Sequence, residues 1–315
     1  MAGKRGLALL FPGQGAQSVG MGRALIAGDY SSELLAVALS AGLDLPSLLV
    51  DGDAEALRPT QVAQPALYYT GVALGRVLLA EGVLPEFAAG HSLGEYCALA
   101  VAGAIDAELG MSLVLERGRL MAGAADGTMA AVLGLSSDVL EPICEGVSTS
   151  GQICVVANDN CPGQLVISGT RDGVERAGAA ARAAGARRIV PLNVGGAFHS
   201  PLMAAAAAAF AAVLTEVEIS DPLFPVACGA TGALTQSAAG IREGLTRQLD
   251  SPVLWTQAVQ AMIQSGAGRF VECGPGNTLA SLVRRIATGV EVIGIDSPEA
   301  ALASAPRLRS CGEQQ

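Results

Sequence analysis

Phe87-Ala88-Ala89-Gly90-His91-Ser92-Leu93-Gly94-Glu95-Tyr96 is the most informative segment of the chain for its fold class. Phe87 to Gly90 is a short apolar run that predicts a strand, and apolar spacing from Leu93 to Ala102 predicts a helix. Between them, Gly90-His91-Ser92-Leu93-Gly94 matches G-x-S-x-G, in which glycines flank a serine held on a strained strand-to-helix turn that exposes its Oγ. An ordinary glycine-rich turn is the plainer reading of such a match taken alone. The strand before it and the helix after it favour the strained elbow of an α/β protein.

Upstream, Gly6 to Phe11 is a continuous apolar run that stops at Pro12-Gly13, as a buried strand would. Helical spacing runs from Pro65 to Glu81 and again from Ala107 to Ala122. From Thr128 the texture changes. Strands at Thr128–Leu135, Ile153–Ala157, Gln164–Ser168 and Arg187–Leu192 alternate with helices at Ser136–Glu145 and Arg171–Ala184, the β-α-β-β-α-β order of a ferredoxin-like unit. The α/β texture then resumes, with a helix from Ser200 to Val217, helices at Ala238–Leu249, Trp255–Gln264 and Thr278–Ile286, and strands near Pro225–Cys228, Phe270–Cys273 and Val290–Ile293. The expected fold class is therefore α/β, a large α/β-hydrolase-like domain (1–127 and 193–298) with an inserted ferredoxin-like subdomain (128–192). Residues 299–315, rich in Ala, Ser and Arg without a clear period, are expected to form a loosely ordered tail.

Composition sets the exclusions. The 315 residues are 51% hydrophobic and 15% charged, which supplies a large core and rules out disorder. A net charge of -10 argues against a nucleic-acid footprint, which needs a basic face. No apolar run reaches the roughly 18 to 20 residues of a membrane span. The seven cysteines form no CxxC pair and nothing reads as a secretory leader, so reduced, mostly buried thiols in a cytoplasmic protein are expected.

The chain holds only two histidines, His91 and His199, and one lysine, Lys4. A three-imidazole metal site is impossible, and Schiff-base chemistry or a Walker lysine would have to use Lys4. If imidazole activates Ser92, elimination favours His199. His91 is the serine's neighbour in the turn, suited to a supporting hydrogen bond, whereas His199 follows the nucleophile in the chain order of serine hydrolase folds. The loop Phe11-Pro12-Gly13-Gln14-Gly15-Ala16-Gln17 has Ser18 where a Rossmann fingerprint needs glycine and lacks Gly-Lys-Ser/Thr. It suits close backbone approach beside the nucleophile, with its amides or Gln14 lining an acyl pocket.

Eight motifs in order, FPGQGAQ (11–17), TQVAQPAL (60–67), GHSLGEY (90–96), ERGRLM (116–121), NDNCPGQLVISG (158–169), GAFHSPLM (196–203), QLDSPVLW (248–255) and ECGPGNTL (272–279), span nearly the whole chain. The sequence resembles the malonyl-CoA:acyl carrier protein transacylase family of fatty acid and polyketide synthesis. The resemblance implies Ser92 as nucleophile, His199 as base, the main-chain carbonyl of Gln248 orienting that histidine, and the Gln14 and Leu93 amides as oxyanion hole. It also implies that Arg117 grips the free carboxylate of malonyl. Phe198, by its bulk, would exclude an α-methyl branch and so favour malonyl over methylmalonyl. Gln64 and Asn160 fall in motifs that line the acyl or pantetheine pocket, though each suits a loop-capping role as well.

The implied reaction is ping-pong transfer from coenzyme A to a carrier-protein thiol, with no cofactor and no metal. The implied partners are an acyl carrier protein and a coenzyme A thioester, without nucleic acid or membrane, and a monomer is expected. Arg187 with Arg188 and Arg284 with Arg285 are the adjacent basic pairs offered as the carrier-docking surface, against the plainer reading of solvated arginines. Alternatives that keep the motifs are a hydrolase of carrier-bound acyl groups, a transferase of another extender unit, and service to a polyketide synthase or malonate decarboxylase. A catalytically idle carrier-protein adaptor is the non-enzyme alternative.

Overall fold

Gly6 to Phe11 forms β1 (Gly6–Phe11), buried at every residue, as an unbroken apolar run requires of a strand covered on both faces. This is seen in a computed structural model that describes residues 5–124, 126–149 and 151–309. Lys4 and Cys311 lie outside the described residues. Three short helices follow where the sequence pattern predicts nothing, α1 (Arg23–Ala27), α2 (Ser32–Ser40) and α3 (Leu45–Asp51). The long helix α4 (Thr60–Ala80) begins five residues ahead of Pro65 and carries that proline inside it, whereas the sequence starts the helix at the proline itself. Next come β2 (Phe87–Gly90), α5 (Gly94–Val101) and α6 (Ala107–Gly123). Asp106 opens α6 by accepting from the Glu108 and Leu109 amides.

The middle segment runs β3 (Thr128–Leu133), α7 (Ser137–Val147), β4 (Cys154–Cys161), β5 (Gln164–Gly169), α8 (Arg171–Ala183) and β6 (Arg188–Pro191). Its strands lie in the order β6-β3-β5-β4, each neighbouring pair antiparallel. Val132, Leu140, Ile167, Ala177 and Ala181 make a core of its own between that sheet and its two helices.

A 3₁₀ turn (Pro201–Met203) then leads into α9 (Ala204–Thr215), β7 (Val226–Ala227), β8 (Leu234–Thr235) and α10 (Ala238–Arg247). The chain ends with β9 (Val253–Leu254), α11 (Trp255–Gln264), β10 (Ala267–Cys273), α12 (Thr278–Ile286), β11 (Glu291–Ile295) and α13 (Pro298–Arg309). The larger sheet has the order β11-β10-β1-β2-β7-β8, parallel from β11 to β7 with β8 antiparallel at the edge. Strand alternation sends Leu7, Leu9 and Phe11 into one core and Ala8 and Leu10 into the other, so helices cover both faces. The protein is thus mixed α/β with two sheets.

Two features depart from expectation. Strand β9 pairs parallel with β4, Asn158 beside Val253 and Asp159 beside Leu254, so the second sheet takes its fifth strand from the last third of the chain. The loose tail is replaced, as far as Arg309, by α13. Ala301, Ala305 and Leu308 bury one narrow stripe of that helix, which packs on α4. Arg269 donates to the carbonyls of Arg307 and Leu308, pinning the helix end with a cation where the dipole favours one. A stripe built mostly of alanine is hard to see in a chain rich in alanine on every face. Residues 310–315 lie outside the described residues. Among the described residues no single helix is long and apolar enough to cross a membrane.

Candidate active site

The site is assembled at the carboxyl ends of β1 and β2, where parallel α/β sheets open a crevice. His91 N–H donates to Phe11 O at 3.0 Å, and Ser92 then takes the left-handed backbone conformation, φ +52°. The flanking glycines are dictated by contact. A Cβ on Gly90 would lie 1.8 Å from the Gly94 carbonyl carbon, and one on Gly94 would lie 2.0 Å from Phe11 O. Leu93 is the N-cap of α5, so its N–H has no carbonyl of that helix to pair with. Among the described residues, neither the Leu93 nor the Gln14 amide has a protein acceptor.

Ser92 Oγ lies 2.8 Å from His199 Nε2. On the far side of the ring, Nδ1 faces two carbonyl oxygens, Gln248 at 2.9 Å and Ser251 at 3.1 Å. Carbonyls only accept, so Nδ1 carries the proton and Nε2 presents its lone pair to the serine hydroxyl. His199 also sits at a positive φ, +57°, and its own N–H donates to Leu249 O. Burial, reinforced by the Arg117 charge and by His91, pushes its pKa down to about 3, which leaves the imidazole neutral at pH 7.

Arg117 is buried, 1% exposed, and converges on the same oxygen, with Nη2 3.0 Å from Ser92 Oγ. Gln248 Oε1 accepts from both Nε and Nη2, at 3.2 and 3.0 Å, and Gln64 Oε1 accepts from Nη1 at 2.8 Å. The guanidinium carbon lies 5.5 Å from the centre of the Tyr96 ring. Burial lowers the Arg117 pKa, and the nearby Glu95 works against that shift. The Gln248 amide nitrogen donates to Ser92 O at 3.0 Å and to Glu95 Oε2 at 2.7 Å.

His91 is bonded to Asn160, its Nε2 2.8 Å from Oδ1, and its ring packs at a tilt on Trp255. Burial lowers its pKa as well. A cavity of about 300 Å³ opens from Ser92, lined on its apolar side by Met129, Val166, Leu192, Phe198 and Leu282 and reached by Gln14, Gln64 and Asn160. Gln14 Nε2 also donates to Thr60 Oγ1 at 3.2 Å. The start of α12, whose Thr278, Leu279 and Leu282 line the cavity, is fixed by Glu272, a buried carboxylate that accepts from the Leu279 and Ala280 amides at 3.0 and 2.8 Å.

The structure thus brings Ser92, His199, Arg117, Gln248 and Gln64 into direct contact and sets Gln14, Leu93, Phe198 and Asn160 around them. Sequence reasoning misses Glu95, the Ser251 carbonyl, the Gln248 side chain and the Tyr96 ring. For Glu95 a signal existed, since a charged residue inside the apolar run GEYCALAV must find partners if it is buried. The Ser251 carbonyl is a main-chain group whose position no side-chain pattern encodes.

The acyl transferase domain family matches residues 8–305, and the chain belongs to that family. The malonyl CoA-acyl carrier protein transacylase of Bacillus subtilis (strain 168) is 40% identical to it over 298 residues, covering 93% of this chain and 94% of that protein. The protein of the same name from Escherichia coli (strain K12) is 41% identical over 304 residues, covering 94% and 98%. A type II PKS acyl-carrier protein solved in complex with its malonyl-transacylase includes a chain that superposes with a TM-score of 0.91 at 38% identity, covering 96% of this chain and 99% of that one. The malonyl CoA-acyl carrier protein transacylase from Coxiella burnetii gives a TM-score of 0.90 at 36% identity, covering 97% and 98%.

Proposed function

We propose that this protein transfers a malonyl group from coenzyme A to the phosphopantetheine thiol of an acyl carrier protein, through a malonyl ester on Ser92. One observation carries the reading: Ser92 Oγ lies within hydrogen-bond reach of both the His199 lone pair and the Arg117 guanidinium. A nucleophile, a base and a carboxylate anchor therefore meet at one oxygen. The names and the carrier-bound complex among the relatives support the substrate pair.

In the first half-reaction the malonyl carboxylate takes the Arg117 edge now facing Ser92 Oγ, which frees that oxygen's lone pair. His199 Nε2 accepts the hydroxyl proton as Oγ bonds to the thioester carbonyl carbon. The oxyanion is held by the Gln14 and Leu93 amides, the C–S bond breaks, and the imidazolium returns its proton to the departing coenzyme A sulfur. In the second half the carrier thiol gives its proton to His199 and attacks the ester, and Ser92 leaves reprotonated. Neutralising Arg117 with malonate also removes one cause of the low His199 pKa, so the substrate makes its own base stronger. No step calls for a cofactor. Phe198 at the cavity wall supports malonyl over branched extender units.

The architecture reads as an α/β-hydrolase-like unit of residues 1–127 and 193–298 interrupted by a ferredoxin-like subdomain at 128–192, a division supported by the antiparallel order β6-β3-β5-β4. The α13 helix extends the larger unit. For the carrier, the surface favoured is the β4–β5 hairpin, whose Gln164 lines the cavity. Arg285 donates to Gln164 and to Pro162 O, and Arg187 packs by Gly134, whose N–H donates to Gly163 O. The Arg284 and Arg285 guanidiniums are engaged within the fold, Arg284 to Val292 O, which leaves Arg187 and Arg188 as the freer pair for an acidic carrier. Reversing both charges is expected to raise KM for the carrier without slowing acylation by malonyl-CoA, and an unchanged KM would count against that surface. The test of the reaction itself is intact-mass analysis after malonyl-CoA is added: a malonyl adduct on Ser92 is expected, and its persistence in Ser92→Ala would sink the assignment.

A further inference from the structure

We infer that Glu95 is a positioning residue for acyl selectivity, acting through the side-chain amide of Gln248 to fix which edge of Arg117 faces the substrate. The inference rests on the transfer reaction proposed above. Glu95 is 2% exposed and its Oε2 accepts from Gln248 Nε2 at 2.7 Å and from Gly229 N–H at 3.2 Å. The carboxylate has room because Gly229 and Gly244 stand beside it: a Cβ on Gly229 would approach Oε2 to 3.1 Å.

A glutamine amide can point either way, and its neighbours decide. Here the nitrogen end meets two acceptors, Glu95 Oε2 and Ser92 O, and the oxygen end therefore faces Arg117. That oxygen chelates the Nε and Nη2 edge of the guanidinium, while Gln64 holds Nη1. What remains is the terminal edge, directed at Ser92 Oγ, where a carboxylate can be gripped by two parallel bonds. Among the described residues Arg117 forms no direct ion pair, so the protein's own carboxylate is kept one amide away and does not occupy the place a substrate carboxylate needs. Without Glu95, the Gln248 amide loses its main orienting acceptor and can turn its N–H groups toward the guanidinium, which displaces it.

The test compares Ser92 acylation rates with malonyl-CoA and acetyl-CoA, followed by intact mass, in the parent and in Glu95→Ala, Glu95→Asp and Glu95→Gln. Glu95→Ala is expected to lower the malonyl-to-acetyl ratio about tenfold, the worth of one charge-assisted hydrogen bond. Glu95→Asp, which withdraws the carboxylate by one methylene, gives the same loss if the alanine variant does not fold. Glu95→Gln keeps an acceptor for Gln248 and restores the ratio. In an Arg117→Ala background none of the three changes moves the ratio. A parent ratio retained in Glu95→Ala, or in Glu95→Asp where only that variant folds, or an equal drop with Arg117 already removed, overturns the inference and leaves the reaction standing. A parent that takes no malonyl label at Ser92 overturns both.

Discussion

Arg117 carries a charge inside the protein with amide and hydroxyl oxygens, not a carboxylate, on its N–H groups. Burying such a cation without a contacting anion is costly, and the expense makes sense if the anion arrives with the substrate. Truncation to alanine is therefore expected to lower acylation by malonyl-CoA about ten- to hundredfold while acylation by acetyl-CoA is retained, since a charge-assisted hydrogen bond is worth roughly 1.5 to 3 kcal/mol. Equal losses for both thioesters would contradict the carboxylate role. His199 gives a pH prediction. Its folded pKa of about 3 lies below the ordinary 6.5, so the unfolded chain takes up a proton that the folded chain refuses. The stability this provides is present above pH 6.5 and is lost as pH falls toward 3. Melting temperature should drop across that window in the parent and less steeply in His199→Gln, and matching slopes would refute it.

At the scale of elements, the site depends on ends, not middles: the ends of β1 and β2, the starts of α5 and α12. Glu272 reaches from the end of β10 to the first amides of α12, which carries Leu282 into the cavity. Glu272→Ala leaves two buried amides unpaired and should cost on the order of 1 to 3 kcal/mol, read as a lower denaturant midpoint with unchanged slope. No change in midpoint would mean that the bonds carry no net stability. Elements such as β1, α6, α11 and α12 are legible in the sequence, β1 as one unbroken apolar run and the helices because each buries a face wide enough to leave a pattern. The helices α1 to α3 are not, being short, with α2 entered through left-handed Asp29 and Ser31, and two-residue strands such as β9 exist only because a partner strand lies beside them. Motif and elimination suffice to name Ser92 and His199, but the Glu95–Gln248–Arg117 chain joins residues far apart in sequence and is visible only once the helices are packed.

For the whole molecule, an excess of ten negative charges must coexist with the acidic carrier proposed as its partner, so approach depends on where the arginines stand and not on their number. Gln164 on the β4–β5 hairpin borders the cavity that opens from Ser92, so a carrier docked there could deliver its thiol arm to the ester. A hydrolase on the same scaffold would admit water to that ester, whereas a transferase must keep it for the thiol. The most direct measurement isolates the malonyl-Ser92 protein, adds holo-carrier protein, and follows both masses over single-turnover time. Transfer predicts that the adduct leaves Ser92 as malonyl-carrier appears in equal amount, with the adduct stable when carrier is withheld. Loss of the adduct to free malonate at the same rate with or without carrier would show hydrolysis in place of transfer.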